Sequence, residues 1–406
     1  MPLILILIRK LNSAQNRLRR WVAITQQDLV SWVVSLLTEK YWLIDYLPVK
    51  RPQRAQVLLV RLDLIGDFII WLDSARAYRQ LYPTQKIVLY ANAIWAGLAE
   101  QFDYWDEVIP VDVPKLRTND WFRLRQLVGL RLKGFSVAIQ PTYSRECAAD
   151  LTVRATGAVT RIGHLGNLSN ISQEKKQFSD RWYTKLVDLN NQPIVELNLN
   201  AAFIRALGRT SFKSSLPRIK HSCVLPLDFR ITKPYFIVFP GASWAPKTWS
   251  TTNFAEVAKM ISEQRGLLLV LCGTAAECKI CNEVEQLAQV PAINLAGRTS
   301  LNELIEVIRG AKLLIANDSA AIHIATATQT QSVCIFGGGH FGRFLPYAPE
   351  EDTEGLKPTV MFQKMDCYGC NWQCRFLTND VQTVPCVSAI DPASLASVCL
   401  KLTAAW

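Results

Sequence analysis

Apolar positions in this chain come in short runs separated by longer stretches of helical period. Val57 to Val60 runs into Arg61-Leu62-Asp63, and Gly66-Asp67 then opens a helical pattern from Phe68 to Leu81 that contains neither Pro nor Gly. The expected elements are a buried strand, a tight turn and a helix, with Asp67 placed to cap the helix. Ile87 to Tyr90 and Val108-Ile109 read as strands, Trp121 to Leu132 as a helix and Val137 to Gln140 as a strand. Residues 161 to 195 show little periodicity. Glu196 to Leu207 reads as a helix stopped by Gly208, and the proline-scattered stretch Pro217 to Pro234 as a linker. Strand and helix patterns then alternate again. Tyr235 to Phe239, Leu267 to Leu271, Ile293, Lys312 to Ala316 and Ser332 to Phe336 read as strands. Asn253 to Gln264, Cys278 to Ala288, Leu301 to Arg309, Ala320 to Thr328 and Asp391 to Leu402 read as helices. This predicts an α/β protein with two doubly wound, Rossmann-like domains whose carboxyl-end rims face each other across a cleft. The expected divisions are an appendage over 1–55, a first domain over 56–225 and a second over 226–406.

Composition supports two cores: half of the 406 residues are hydrophobic. The net charge of +11 is unevenly spread, with nine Lys/Arg against three acids in residues 1–56. Within the appendage, Arg17, Arg19 and Arg20 precede Trp21, and Val30, Trp32, Val33, Val34, Leu36 and Leu37 recur with helical spacing. Such a helix suits an anionic membrane surface; an arm packed on the protein or on a second subunit is the alternative. Neither stacking aromatics among basic residues nor a helix-turn-helix or zinc-finger spacing is present, so nucleic acid is not an expected partner. The opening run MPLILILIRK is short and has its basic residues after the apolar ones, unlike a cleaved signal. No run approaches the roughly 18 to 20 apolar residues of a spanning helix. The expectation is a cytoplasmic protein, peripherally associated with the inner membrane.

Three loops carry candidate chemistry. Gly66-Asp67 follows the first strand, where a glycine lets the backbone approach a ligand closely. Phe239-Pro240-Gly241-Ala242-Ser243 leaves the first strand of the second domain, with Lys247-Thr248 in the same loop. Small residues, hydroxyls and one Lys suit a diphosphate, although a solvated Lys is the ordinary reading, and the spacing is not that of a Walker loop. Asn317-Asp318-Ser319-Ala320-Ala321-Ile322-His323 joins a buried strand to a helix capped by Asp318 or Ser319, whose open N–H groups face the cleft. His323 can touch the same anion or brace the loop. Pro141 to Arg145 lie at the rim of the first domain, as an acceptor pocket or simply as a polar loop.

The segments RLDLIGDFIIWLDSARAYRQLYP, VFPGASWAPKTWSTTNFAEVA and LLIANDSAAIHIATATQTQSVCIFG, in this order, resemble family 9 glycosyltransferases, the ADP-heptose:lipopolysaccharide heptosyltransferases. The resemblance runs from about Val57 to the last helix. It implies a GT-B fold with an N-terminal acceptor domain and a C-terminal nucleotide-sugar domain. It also implies metal-independent, inverting transfer of a heptose from ADP-heptose to a lipid-linked glycan. By similarity Asp67 is the general base and Lys247 stabilises the leaving diphosphate. The resemblance also implies that the segment Asp318, Ser319, Ala320 to His323 cradles the donor; Gly66, Gly241, Ser243, Thr248, Asn317 and His340 are further expected substrate contacts. The sequence contains no Asp-x-Asp, consistent with transfer that uses no metal. A catalytically silent nucleotide-sugar or glycan-binding protein on the same fold is the alternative. The chain departs from the family at Gly337-Gly338-Gly339-His340, where a Gly-Pro-Thr type loop is usual, and Arg343 beyond it is a further candidate donor contact.

The eleven cysteines show no disulfide spacing. Cys367, Cys370, Cys374 and Cys386 have spacings compatible with zinc or an iron–sulfur cluster; a thiol cluster or plain packing is the favoured reading.

Overall fold

The computed structural model describes residues 42–45, 47–49, 55–189, 195–351, 355–378 and 382–404. Most of the basic appendage, including the amphipathic stretch from Arg17 to Leu37, lies outside them. Where it rejoins the described chain, Ile44 is buried against Leu127, Leu151 and Ala155. Arg131 donates to the carbonyls of Leu47 and Asp45 at 2.8 and 2.9 Å.

Two six-stranded sheets form the body. The first has the order β3-β2-β1-β4-β5-β6, from β1 (Gln56–Arg61), β2 (Lys86–Asn92), β3 (Glu107–Val111), β4 (Val137–Gln140), β5 (Thr160–His164) and β6 (Lys185–Val187). The second has the order β12-β11-β10-β7-β8-β9, from β7 (Tyr235–Phe239), β8 (Leu268–Leu271), β9 (Ala292–Asn294), β10 (Leu313–Asn317), β11 (Ser332–Ile335) and β12 (Thr359–Met361). Every pairing is parallel. Continuous apolar runs are required because helices cover both faces. In β1, Val57 and Leu59 enter one cluster while Leu58 and Val60 enter the other, as the two-residue period of a strand dictates. In β7, Tyr235, Ile237 and Phe239 are likewise separated from Phe236 and Val238.

The strand order reverses between β1 and β4 in the first sheet and between β7 and β10 in the second. These are the crevices where open α/β sheets bind ligands. The loops after β1, β4, β7 and β10, which hold Asp67, Ser144, Lys247 and Asp318, therefore share the positions that matter.

The region 161–195, poor in pattern, contains β5, β6 and the helix Gln173–Asp180. The edge strand β6 is only three residues long, and β5 holds a single large apolar residue, Ile162. The helix Cys147–Ala155 and β12 also go unannounced by their sequence.

The domains meet along two helices. Ile65–Leu81 packs against Ala320–Thr328 of the second domain and against Glu196–Ala206, and one apolar cluster, including Ile69, Leu72, Ala321 and Ala325, runs through the seam. At its tip Gly66 meets the second domain directly: a Cβ there would lie 2.9 Å from Cδ2 of His323 and 3.7 Å from Cα of Ala320. Gly66 thus serves helix-to-helix contact, whereas its sequence position suggested approach of a substrate. Gly66→Ala is expected to lower the unfolding free energy measured by urea titration. The roughly 1–3 kcal/mol of overpacking exceeds the roughly 0.5–1 kcal/mol that Ala gains over Gly in a helix. An unchanged or raised value would mean that the His323 ring yields freely.

Candidate functional site

The turn after β1 gathers charge below the surface. Arg61, fully buried at the end of the strand, pairs with Asp63 at 2.7 Å, and its guanidinium also donates to the carbonyls of Pro141 and Asp67 at 3.3 and 3.2 Å. The ring of Trp71 lies 5.0 Å from the guanidinium carbon. Asp67 occupies the first turn of the helix Ile65–Leu81; the cap position belongs to Leu64, which supplies no side-chain cap. The sequence expectation of an Asp67 cap is corrected accordingly: the helix begins at Ile65, three residues before Phe68, and this places the carboxylate on its first turn.

Burial raises the Asp67 carboxyl to about 6, helped by the neighbouring Glu196 and opposed by Arg61, Arg343 and a backbone hydrogen bond at Leu64. Asp63 is raised further, to about 7, again chiefly by burial, against the attraction of Arg61. Two carboxyl groups thus stand near neutrality four residues apart. Glu196 comes from another helix and pairs with Arg343 at 3.0 Å, while Arg343 donates to Ser144 at 2.9 Å. Arg343, a candidate donor contact in the sequence, ties the second domain's loop to Glu196 and Ser144 of the first domain. Arg61 and Asp63 lie within the first family-like block, yet neither they nor Glu196 are among the candidate site residues of the sequence; a charged residue at the end of an otherwise apolar strand, as at Arg61, is the cue that marks the place.

Across the seam, the loop after β7 makes a single helical turn, Ala245–Lys247, and directs Lys247 inward. Its ammonium lies 3.6 Å from Asp318 and 5.2 Å from the ring centre of Trp372. Thr248 closes this turn through its backbone N–H to Ala245, and Ser243 is exposed. Ser319 stands at the cap of the Ala320–Thr328 helix, yet its hydroxyl makes no cap bond and has no partner.

Several sequence candidates turn out to brace the site. The Asn317 carboxamide accepts from the Trp249 backbone N–H at 3.0 Å and donates to the Pro240 carbonyl at 2.6 Å, clamping the β7 and β10 loops together. The carboxylate of Glu277 fills the place a Gly241 side chain would take, 1.8 Å from that virtual Cβ, so Gly241 is small for a protein neighbour. His323 is buried, its Nδ1 is 2.6 Å from the Tyr347 hydroxyl, and burial lowers it to about 4, so it is neutral at pH 7. A neutral ring with one nitrogen engaged braces the loop, the second of the two roles its position suggested. His340 has both nitrogens engaged: Trp372 donates to Nδ1 at 3.2 Å, and Nε2 lies 2.7 Å from the Asn371 carboxamide oxygen. Ala320 lies against Gly66.

The four C-terminal cysteines carry unbonded thiols. Cys386 accepts from the Gly338 N–H at 3.4 Å, and burial with its neighbours Cys367, Cys374 and Cys370 pushes its thiol up. Among the described residues no three His, Cys, Asp or Glu side chains form a group that could hold a metal ion.

A family model described as glycosyltransferase family 9 (heptosyltransferase) matches residues 153–366. Lipopolysaccharide heptosyltransferase 3 of Escherichia coli K12 is 32% identical over 287 residues, 67% of this chain and 79% of that protein. Lipooligosaccharide heptosyltransferase 2 of Campylobacter jejuni strain 81116 is 33% identical over 126 residues, so the match spans 30% of this chain and 40% of that relative. The solved ADP-heptose LPS heptosyltransferase II of E. coli has a TM-score of 0.62 at 20% identity, covering 86% of this chain and 99% of that one. The two facing α/β domains are thus the GT-B arrangement that the sequence blocks implied.

Glu196→Gln removes a like charge from Asp67 and frees Arg343 to act on it. Carbon-13 carboxyl titration is expected to show the Asp67 transition below about 6 in this variant. An unmoved transition would mean that burial alone sets it.

Proposed function

The chain belongs to glycosyltransferase family 9, and from that membership we propose that it moves a heptose from ADP-heptose to a lipid-linked glycan of the lipopolysaccharide-core type, with inversion at the anomeric carbon. The observation that carries this reading is the meeting of two helix starts at the Gly66–His323 contact. A raised carboxylate, Asp67, lies on one side, and a cation beside a helix N-terminus, Lys247, on the other.

In this reading Asp67 takes the proton from the acceptor hydroxyl. The freed oxygen forms its bond to the anomeric carbon from the face opposite the diphosphate, and the anomeric carbon–oxygen bond to the diphosphate breaks. ADP departs with the electron pair. A carboxyl raised to about 6 is still mostly ionised at neutral pH and is a stronger base than an ordinary aspartate. Lys247 and the N–H groups at the start of the Ala320–Thr328 helix offset the charge that grows on the diphosphate. With the ammonium and helix dipole assigned to the departing group, the transfer is read as metal-independent. Contacts between domains keep water from the anomeric carbon.

The basic residues of the appendage are read as a contact with an anionic membrane surface on the cytoplasmic side, where a lipid-linked acceptor is presented. Among the described residues no helix is long and apolar enough to cross a membrane.

Three measurements test the reading. Calorimetry with ADP-, GDP- and UDP-sugars is expected to single out the ADP-sugar, and ADP release with heptose-deficient lipopolysaccharide to show turnover. Asp67→Asn is expected to reduce kcat by about 10²- to 10⁴-fold, and Lys247→Ala by about 10²- to 10³-fold. Wild-type rates in either variant would overturn the assigned roles, and tight donor binding without turnover on any acceptor would favour a silent binding protein. The rate at saturating substrate is expected to rise with pH through about 6 to 7, since the base must lose its proton. A profile flat from about pH 5 to 8 would exclude both Asp67 and Asp63 as the base.

A further inference from the structure

The three consecutive glycines after β11 are explained by what lies on them. A Cβ at Gly338 would sit 2.1 Å from Cδ1 of Tyr368, and one at Gly339 would sit 2.4 Å from Cδ2 of Trp372. At Gly337 it would meet Cη2 of Trp372 at 2.8 Å. Two aromatic rings from the cysteine-bearing loop, residues 367–374, therefore pack closely against the backbone that follows β11. The loop is also latched by its own main chain: Gly369 donates to the Gly338 carbonyl at 2.8 Å and Asn371 to the Gly339 carbonyl at 3.0 Å. Asn371 and Trp372 have positive φ angles of 50° and 62°. Non-glycine residues adopt that conformation at a cost, and such outliers persist where the surroundings over-determine them.

The cost is spent on the placement of one ring. Its indole N–H is fixed on His340 at 3.2 Å, and His340 is fixed in turn on Asn371 at 2.7 Å. Because Trp372 donates to Nδ1, the ring proton of neutral His340 is on Nε2, where it donates to Asn371. Trp244 packs against Trp372 edge-on at 5.9 Å. Over Trp372 lies the ammonium of Lys247, at 5.2 Å, with the Asp318 carboxylate at 3.6 Å on another side.

We propose that Trp372 is a positioning residue: the cysteine loop exists in this fold to hold an indole beneath Lys247 and keep its ammonium aimed at the leaving diphosphate. The two partners of Lys247 differ in kind. Asp318 attracts the ammonium by full charge and so competes with the diphosphate for it. The indole attracts it through the electrons of a neutral ring, which holds the side chain while leaving its charge for the departing group. The proposal rests on the reading of Lys247 given above, and it assigns the Gly337–Gly339 and Cys367–Cys374 segments one shared task.

The test is a double-mutant cycle in the ADP-heptose transfer assay with Trp372→Ala, Trp372→Phe, Lys247→Ala and the double variant Trp372→Ala/Lys247→Ala. Trp372→Ala is expected to lower kcat about tenfold with the acceptor KM within about twofold of wild type, and Trp372→Phe, which keeps a ring, to recover to within about threefold. In the Lys247→Ala background, Trp372→Ala is expected to cost no more than about twofold further, because the group it positions is gone. An equal loss in both backgrounds overturns the proposal, as does wild-type kcat in Trp372→Ala while Lys247→Ala is impaired. A Lys247→Ala protein with wild-type kcat overturns instead the underlying reading of Lys247, and the proposal with it. A second readout is independent of turnover: acetic anhydride labelling of Lys247, followed by mass spectrometry, is expected to run about threefold or more faster in Trp372→Ala than in wild type or Trp372→Phe. Equal labelling in all three proteins overturns the proposal even if activity falls.

Discussion

At Gly66 a missing side chain lets the ring of His323 lie against the first turn of the Ile65–Leu81 helix, and the rest of the site takes its geometry from that contact. Two helices from different sheets meet near their amino-terminal ends. Each follows a central strand at the point where its sheet reverses order, so each brings the loop that open α/β sheets use for ligands. His323 is kept neutral by burial and tied to Tyr347, which lets it act as a rigid spacer between domains. A charged imidazolium there would face the partial positive charge at the start of its own helix and of the neighbouring one.

In the first domain the electrostatics set burial against charge pairing. Arg61 and Arg343 attract the carboxylates of Asp63, Asp67 and Glu196, yet burial and mutual repulsion prevail at both aspartates. Three acids and two guanidiniums in one crevice leave too little compensation to keep every carboxyl in its ordinary range. In the second domain Lys247 is balanced between one carboxylate and one aromatic ring, with helix N–H groups close by. The fold thus sets the raised carboxyls of Asp63 and Asp67 on the first sheet and the Lys247 ammonium on the second.

Glycine had more than one meaning in this chain. Gly241 is small because Glu277 occupies its side-chain space, and Gly337 to Gly339 because two aromatic rings lie on them. In the sequence the first stretch reads as part of a loop suited to a diphosphate and the second as a departure from the family pattern. In the structure the group that approaches each is another part of the protein.

The sequence by itself determined the two α/β halves, nearly all of the second domain's elements and the loops that bear Asp67, Lys247 and Asp318. Strand and helix periodicities are local, and a buried parallel strand must be apolar along its whole length. The strands β6 and β12 escaped because they are three residues long, and β5 because Thr160-Arg161-Ile162-Gly163-His164 holds one large apolar residue. Only the tertiary structure decided what those loops touch. Nothing in the order of residues says that Glu196 and Arg343 would pair near Asp67, that Asn317 and His323 would be engaged within the protein, or that Trp372 would lie beneath Lys247. Each of these is a contact between segments far apart in the chain, fixed by how two sheets dock. Burial raises the carboxyls of Asp63 and Asp67 only after that docking has taken place.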